Sequence, residues 1–154
     1  MNAIFKKLNY KQQAQIVALN VPTSFESVLA EMEGEAQILR AANVTDKIAF
    51  AIAFAIKQHE VDEAIAALAP KLKGDATLWF CYPKKSSKKY TCEFNRDTGW
   101  AKLGQFGFEG VRMVAIDEDW SALRFRKVEF IKSITRRKTM ALTKEAKART
   151  TSKK

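Results

Sequence analysis

The sequence predicts a three-layer α/β fold in which a mostly parallel sheet ends in an antiparallel hairpin. Residues 14–21, 47–56 and 76–82 form apolar runs of strand length, which is typical of strands covered on both faces. Helical segments alternate with the strands, and such alternation favours parallel strands joined by crossovers. Near the end of the pattern, the short turn at Glu118-Asp119 leaves too few residues for a crossover and indicates a hairpin.

Length and composition indicate one cytoplasmic domain. A chain of 154 residues can bury about two thirds of its unfolded surface in a single core. The longest apolar run, 48–56, is much shorter than the roughly 20 residues that a membrane-spanning helix needs. Residues 1–10 carry charge without a following apolar stretch or cleavage site, so we expect no secretory signal and no membrane association.

The first half of the chain begins with the strand at 14–21, which ends at Pro22 and leads into a helix over 23–33. A short second strand is predicted at 36–41 and a third at 47–56. The next helix is predicted over 60–72, ending at Lys73-Gly74. Its apolar residues have helical spacing and are Val61, Ile65, Leu68 and Leu72.

The second half continues with the strand at 76–82, a lysine-rich loop and a helix around 96–106. Strands at 111–117 and 121–128 then form the hairpin. The resulting order β-α-β-β-α-β-α-β-β predicts a Rossmann-like sheet. An exposed edge strand of this sheet would permit a homodimer.

Beyond Ile134 the apolar pattern stops and a basic segment follows. Residues 135–154 contain eight Lys or Arg and one Glu, a net charge of +7, which leaves +3 of the total +10 for residues 1–134. We therefore predict one domain at 1–134 and a disordered tail at 135–154. Such a tail either solubilises the protein or binds nucleic acid without sequence specificity. Its candidate nucleic-acid contacts are Arg136, Arg137, Lys138, Lys144, Lys147 and Arg149.

The cysteines and the histidine do not suggest a metal site or a disulfide framework. Two Cys and one His without C-x-x-C or H-x-x-x-H spacing are too few soft ligands for structural zinc. We predict that Cys81 and Cys92 are both reduced, with Cys81 as a small core residue. His59 has no nucleophile beside it in a known motif and is predicted to be a surface residue.

Three segments resemble those of a bacterial family of unknown function. They are YPKKSS at 82–87, RDTGW at 96–100 and AIDEDWSALRFR at 115–126. The resemblance spans most of residues 8–127. It implies a small cytosolic domain similar to a reduced class I methyltransferase fold, and it implies no reaction and no catalytic residue.

The loops after the first two strands argue against a nucleotide cofactor. Residues 20–25 contain no glycine, although a bare backbone is what allows a cofactor to approach closely. Residues 40–43, which follow the second strand, contain no carboxylate for ribose hydroxyls. The glycines at 104, 107 and 110 follow a predicted helix instead of opening one. We therefore predict no conventional adenosylmethionine site and no cofactor.

Charged, hydroxyl and aromatic side chains concentrate between residues 82 and 126. Each cluster follows or opens a predicted element, so the clusters can meet at the sheet edge where open α/β folds bind ligands. We predict a crevice there for an acidic small molecule or a protein partner. Its candidate residues are Tyr82, Lys84, Lys85, Ser86, Ser87, Arg96, Asp97, Trp100, Asp117, Trp120, Ser121, Arg124 and Arg126.

Each candidate also has a purely structural interpretation. The lysines of 84–89 can form a solvated loop, because they lack the glycines of a phosphate-binding loop. Asp97 can favour a helix N-terminus, and Asp117 can cap the turn before Trp120. The two tryptophans can pack in the core or at its rim, and the two arginines can pair with Asp117 or Glu118.

Three functions remain open from the sequence. The first is a non-catalytic domain that binds an acidic ligand or a partner in the basic and aromatic crevice. The second is a divergent transferase, which the methyltransferase-like resemblance implies. The third is a nucleic-acid accessory protein that acts through the basic tail.

Overall fold

The computed structural model describes residues 2–95 and 97–131 of the chain. The predicted tail at 135–154, with its candidate nucleic-acid contacts, and the candidate ligand contact Arg96 lie outside these residues. In chain order the elements are α1 (Ala3–Lys7), β1 (Gln15–Leu19), α2 (Thr23–Met32), β2 (Gln37–Leu39), β3 (Ile48–Phe54), α3 (Gln58–Leu68), β4 (Leu72–Pro83), α4 (Ala101–Gln105), β5 (Phe108–Ala115) and β6 (Trp120–Lys127).

The strands form one six-stranded sheet in the order β2-β1-β3-β4-β6-β5. Strands β2, β1, β3 and β4 pair in parallel, whereas β6 pairs antiparallel with both β4 and β5. The predicted fold class, a mostly parallel Rossmann-like sheet with a C-terminal antiparallel hairpin, is therefore confirmed. Because β6 inserts between β4 and β5, the hairpin leaves β5 at the edge of the sheet.

Helices cover both faces of the sheet and create two cores. On one face, Phe5 of α1 and Phe25 of α2 pack over Phe50 of β3. On the other face, Ile65 of α3 and Leu103 of α4 belong to a second cluster. All residues of β3 except Ala49 are buried, which explains why this strand has no polar alternation.

Helix α1 was not predicted from the sequence. It is only five residues long, and Asn2 caps it by accepting a hydrogen bond from the Ile4 backbone N–H at 2.8 Å. The helix is held by tertiary contacts, since Phe5 is fully buried and the indole Nε1 of Trp79 donates to the Leu8 carbonyl at 2.8 Å. A helix this short has too little local signal to be recognised by periodicity.

Two predicted helices are shorter than expected. The helix predicted over 60–72 ends at Leu68, and Leu72 opens β4 instead. Pro70 explains the end, because it has no N–H to continue the helical hydrogen bonds. The helix predicted around 96–106 begins only at Ala101, because Gly99 adopts a φ of 96°, which is incompatible with a right-handed helix.

Candidate functional site

A cavity of about 670 Å³ lies at the carboxyl end of β4, beside the start of β6. We call it the β4–β6 cavity. Its walls come from the end of β4, the loop that follows, the middle of β5 and the first residues of β6. The lining residues that matter for its chemistry are Tyr82, Lys84, Lys85, Tyr90, Asp97 and Ser121.

The lysine loop is fixed against the β5–β6 turn by one aspartate. The Lys84 backbone N–H donates to the Asp119 carbonyl at 2.7 Å, and the Ser87 hydroxyl donates to the Asp119 carboxylate at 2.8 Å. Asp117 in turn accepts hydrogen bonds from the backbone N–H groups of Asp119 and Trp120. These bonds confirm that Asp117 caps the turn, and they bring two of the three predicted clusters together.

The segment before α4 forms the opposite wall. The Asn95 side chain accepts hydrogen bonds from the backbone N–H groups of Asp97 at 2.8 Å and Thr98 at 3.0 Å, which closes a tight turn. The Gln58 side chain donates to the Gly99 carbonyl at 2.8 Å and ties this turn to α3. Asp97 therefore sits in an exposed turn beside the cavity and not at a helix N-terminus.

The floor of the cavity is aromatic. Tyr82 is only 6% exposed, and its hydroxyl donates to the Met113 sulfur at 3.2 Å. Its ring contacts those of Phe94 and Trp100, with centroid separations of 6.1 and 5.7 Å. The Trp100 indole donates to the Asn95 carbonyl at 2.9 Å. Because these rings are packed against one another, they form a rigid floor for the cavity.

The cavity is polar at its mouth and carries both signs of charge. Lys84 and Lys85 form no ion pair with any residue that the structure describes. Of the lining carboxylates, Glu93 accepts a hydrogen bond from the Gln58 backbone N–H at 2.8 Å and so serves the start of α3. Burial raises the pKa of the Cys92 thiol, which disfavours the nucleophilic thiolate.

The structure brings together only part of the predicted crevice. Six candidates line the β4–β6 cavity: Tyr82, Lys84, Lys85, Ser87, Asp97 and Ser121. Ser86 is exposed beside it, and the Trp100 side chain packs in the core beneath it. Asp117 caps the β5–β6 turn and does not line the cavity.

The other three candidates lie on the opposite face of the sheet. Successive side chains of a strand alternate between faces, so Ser121 faces the α3 and α4 side while Trp120, Arg124 and Arg126 face the α1 and α2 side. Arg126 pairs with Asp75, which replaces the predicted pairing with Asp117 or Glu118. The expectation of a single shared crevice is therefore wrong for these three residues.

Several lining residues were not predicted. They are Pro83, Tyr90, Thr91, Cys92, Glu93, Phe94, Asn95, Thr98 and Met113. Tyr90 could have been identified from the sequence. It is an aromatic residue directly after a lysine-rich loop, and basic and aromatic residues also occur together in the other candidate segments. Met113 had no such signal, since only the pairing of β5 with β6 brings it to the cavity.

A second cavity, of about 330 Å³, lies at the carboxyl ends of β1 and β3, where the direction of the strand order reverses. We call it the β1–β3 cavity. Trp120 lines it, and the buried Trp120 Nε1 has no hydrogen-bond partner within the described residues. Tyr90 lines both cavities. Asn20 turns the chain here with a φ of 55°, a conformation that asparagine tolerates better than most residues.

The residues around the β1–β3 cavity do not fit adenosylmethionine. Arg40 directly follows β2, at the position where Rossmann-like sites usually place a carboxylate for the ribose hydroxyls. A guanidinium group only donates hydrogen bonds, and Arg40 already donates two of them to the Glu26 carboxylate, at 2.7 and 2.8 Å.

A neighbouring cavity of about 520 Å³ includes Arg40 and His59. As predicted, His59 is a surface residue, 3.0 Å from Glu63.

Comparison with known proteins shows which solved structures share this fold. No protein-family model matches the chain, and no curated protein matches it. Solved structures do match. A fibrillarin pre-rRNA processing protein from Methanococcus jannaschii aligns with a TM-score of 0.51 at 12% identity, over 76% of this chain and 67% of that one. The fold is Rossmann-like and similar to that of the methyltransferases among these structures.

Two further matches support the same fold. A Sulfolobus solfataricus protein provisionally assigned to the type 11 methyltransferases has a TM-score of 0.50 at 9% identity, over 84% of this chain and 92% of that one. The phospholethanolamine N-methyltransferase 2 of Haemonchus contortus has a TM-score of 0.51 at 13% identity. That alignment covers 88% of this chain but only 39% of the larger enzyme. No helix in the described residues is long and apolar enough to cross a membrane.

Proposed function

We propose that this protein binds a small anionic ligand, such as a phosphorylated or carboxylate metabolite, in the β4–β6 cavity. The observation that supports this most is the pair Lys84 and Lys85, which line the cavity and have no ion-pair partner in the described residues. Neighbouring ammonium groups repel each other, and an anion bound between them relieves that repulsion.

The size and lining of the cavity agree with a small ligand. Its volume of about 670 Å³ lies within the range of roughly 300 to 1,000 Å³ that is usual for small-molecule sites. The aromatic floor around Tyr82 supplies apolar contact. The Ser121 hydroxyl lines the same space, and it supplies a polar group that can orient a ligand.

The lysine loop is also positioned in advance of binding. The two contacts of Asp119 with Lys84 and Ser87 fix the loop backbone at the edge of the cavity. A site that is already ordered loses less conformational entropy when a ligand binds. We assign Lys84 and Lys85 to charge recognition and no residue to catalysis.

The proposal is tested by thermal unfolding of the full chain with inorganic phosphate, pyrophosphate, AMP and citrate. A ligand that binds only the native state raises the unfolding midpoint, and we expect a rise of several degrees at saturating concentration. The rise should disappear in Lys84→Ala/Lys85→Ala. It should persist in Lys88→Ala/Lys89→Ala, which removes the same charge from the same loop at residues that do not line the cavity.

Two results would contradict this function. An equal loss of the response in both double variants would mean that the anions follow the general charge of the loop. No response of the wild-type protein to any of the four anions would mean that the cavity does not recognise anionic groups.

A second candidate is a transferase, and the arrangement of the cavities favours it. The β1–β3 cavity adjoins the β4–β6 cavity through Tyr90, so that two reactants could lie side by side. Adenosylmethionine titrated into the wild-type protein and into Trp120→Phe tests this candidate. Because of Arg40 we expect no heat of binding. Heat that Trp120→Phe abolishes would instead show adenosylmethionine bound in the β1–β3 cavity and would favour the transferase over the simple binding domain.

A further inference from the structure

Three arginines lie together on the sheet face opposite the β4–β6 cavity. Arg112 of β5 is the register partner of Arg124 in β6, and Arg126 follows two residues later. The next pair on the same face, Val114 and Ala122, packs into the core beneath α1 and α2. We call Arg112, Arg124 and Arg126 the arginine face.

The two ends of the arginine face differ in charge. At one end Arg126 is held by Asp75 through two hydrogen bonds, of 3.0 and 2.5 Å, and the buried Glu109 is its register partner. At the other end, neither Arg112 nor Arg124 forms an ion pair with a carboxylate among residues 2–95 and 97–131.

Arg124 is the unusual member of this group. Its Nε is buried and has no hydrogen-bond partner in the described part of the chain. Burial, followed by the charge of Arg126, lowers the pKa of the Arg124 guanidinium. The charge of Asp75 opposes this shift, and that of Arg112 adds to it. Like charges directly opposite each other on a sheet are destabilising, so this arrangement would be stabilised by a bound anion.

We propose that Arg112 and Arg124 bind phosphate groups of a nucleic-acid backbone. Planar guanidinium groups suit phosphate oxygens, which they can bind through two parallel hydrogen bonds. This site lies on the other side of the sheet from the β4–β6 cavity. It therefore does not depend on the function proposed for that cavity.

The surroundings favour a polymer over a small anion. Lys7 reaches the end of β5, where its ammonium donates to the Ala115 carbonyl at 2.7 Å. From Arg112 to Ala115 the strand extends for about 10 Å, a length over which one strand of a duplex carries about three phosphates. The chain then leaves β6 beside Arg126 and continues into residues 135–154, whose sequence has a net charge of +7.

The test is the binding of fluorescently labelled single-stranded RNA, and of DNA as strand and duplex, to the full chain over a range of salt concentrations. We expect Arg112→Gln/Arg124→Gln to weaken binding roughly tenfold at low salt, for all sequences alike. The slope of log affinity against log salt should fall in magnitude by about 1.4 to 1.8, since each lost phosphate contact removes roughly 0.7 to 0.9.

Arg40→Gln is the matched control for the single variant Arg112→Gln, because it removes one arginine charge just after β2, at the opposite edge of the sheet. The single variant Arg112→Gln, at an exposed position, guards against misfolding and should lower the slope by about half as much as the double variant. An unchanged slope in both arginine-face variants would overturn the proposal. So would equal competition by poly-glutamate and RNA of the same charge, which would show that phosphate is not what the site recognises.

Discussion

At the residue scale, two backbone conformations shape the loops around the cavities. Asn20 has a φ of 55° and turns the chain after β1, where we expected the absence of glycine to matter most. The turn therefore exists, but a side chain occupies the space that a bare backbone would leave open. Gly99 has a φ of 96° and closes the turn that carries Asp97, and here glycine is required.

Replacement of Gly99 by alanine should strongly destabilise the protein. A Cβ at this position would lie 2.5 Å from the Phe94 Cβ, so overpacking adds to the unfavourable φ. We expect Gly99→Ala to lower the free energy of unfolding by about 3 kcal/mol or more, measured by urea denaturation.

Gly74→Ala separates the two effects in the Gly99 experiment. Gly74 also has a positive φ, 58°, but a Cβ there would meet nothing within 4 Å. The expected cost is only about 1 kcal/mol. If the two variants were equally stable, the contact with Phe94 would have no energetic role.

At the element scale, ion pairs tie helices to the segments that follow strands. Glu26 on α2 binds Arg40, just after β2, through two hydrogen bonds. The short strand β2 has no buried residue, so this pair fixes an element that burial holds weakly. A second ion pair, between Arg126 and Asp75, joins the end of β6 to the start of β4.

The Glu26 pair should make stability depend on pH. The hydrogen bond from Arg40 lowers the pKa of Glu26 below its usual 4.5. A lowered folded-state pKa means that the stabilisation is present above pH 4.5 and is lost as the pH falls through the folded-state pKa. We expect Arg40→Gln to be less stable than the wild-type protein at neutral pH.

Urea denaturation between about pH 6 and pH 2 measures this dependence. The difference between Arg40→Gln and wild type should shrink towards the acid end of that range. Glu26→Gln, which removes the same pair from the other side, should follow the same curve. A difference that stays constant across the range would show that Arg40 stabilises the protein through its aliphatic chain alone.

At the scale of the whole molecule, the sheet is enclosed on both faces along its centre. Cys81 is fully buried in β4, between β3 and β6. Its environment raises its pKa well above the usual value, chiefly through burial and further through Asp117. The strand that carries it cannot be exposed without separating both neighbours, so its reactivity reports global unfolding.

A thiol-labelling experiment checks this view of the core. In a Cys92→Ser variant only Cys81 remains, and we expect it to react with a disulfide reagent at least about a thousandfold more slowly in the native protein than in urea. Its rate should follow the free energy of unfolding when destabilising variants such as Gly99→Ala are added. Faster reaction, independent of those variants, would reveal local opening of β4 instead.

Much of the fold was predictable from local pattern. The apolar runs around Val17, Ala51 and Phe80 became the central strands β1, β3 and β4, because burial on both faces leaves a continuous apolar signature. The short link at Glu118-Asp119 correctly predicted the hairpin. Helix α1 was not predicted, since Phe5 and Leu8 are held by contacts with distant parts of the chain.

The candidate site was predictable only in part. The lysine loop and Asp97 were identified because charge and hydroxyl groups following a strand are visible in the sequence. Met113 was not identified, because it reaches the cavity only through the pairing of β5 with β6 and of β6 with β4. The pairing of β6 with β4 joins distant residues, from Pro83 with Trp120 to Leu78 with Phe125, for which the sequence carries no local signal.

The sequence by itself determined the kind of sheet, the order of its elements and the positions where polar groups collect, because hydrophobic periodicity acts over a few residues. Only the tertiary structure decided which of those groups share a surface. A strand sends neighbouring side chains to opposite faces, and the pairing register sets which face each one takes. One motif was thereby divided, with Ser121 beside the lysines of the β4–β6 cavity and Arg124 on the arginine face.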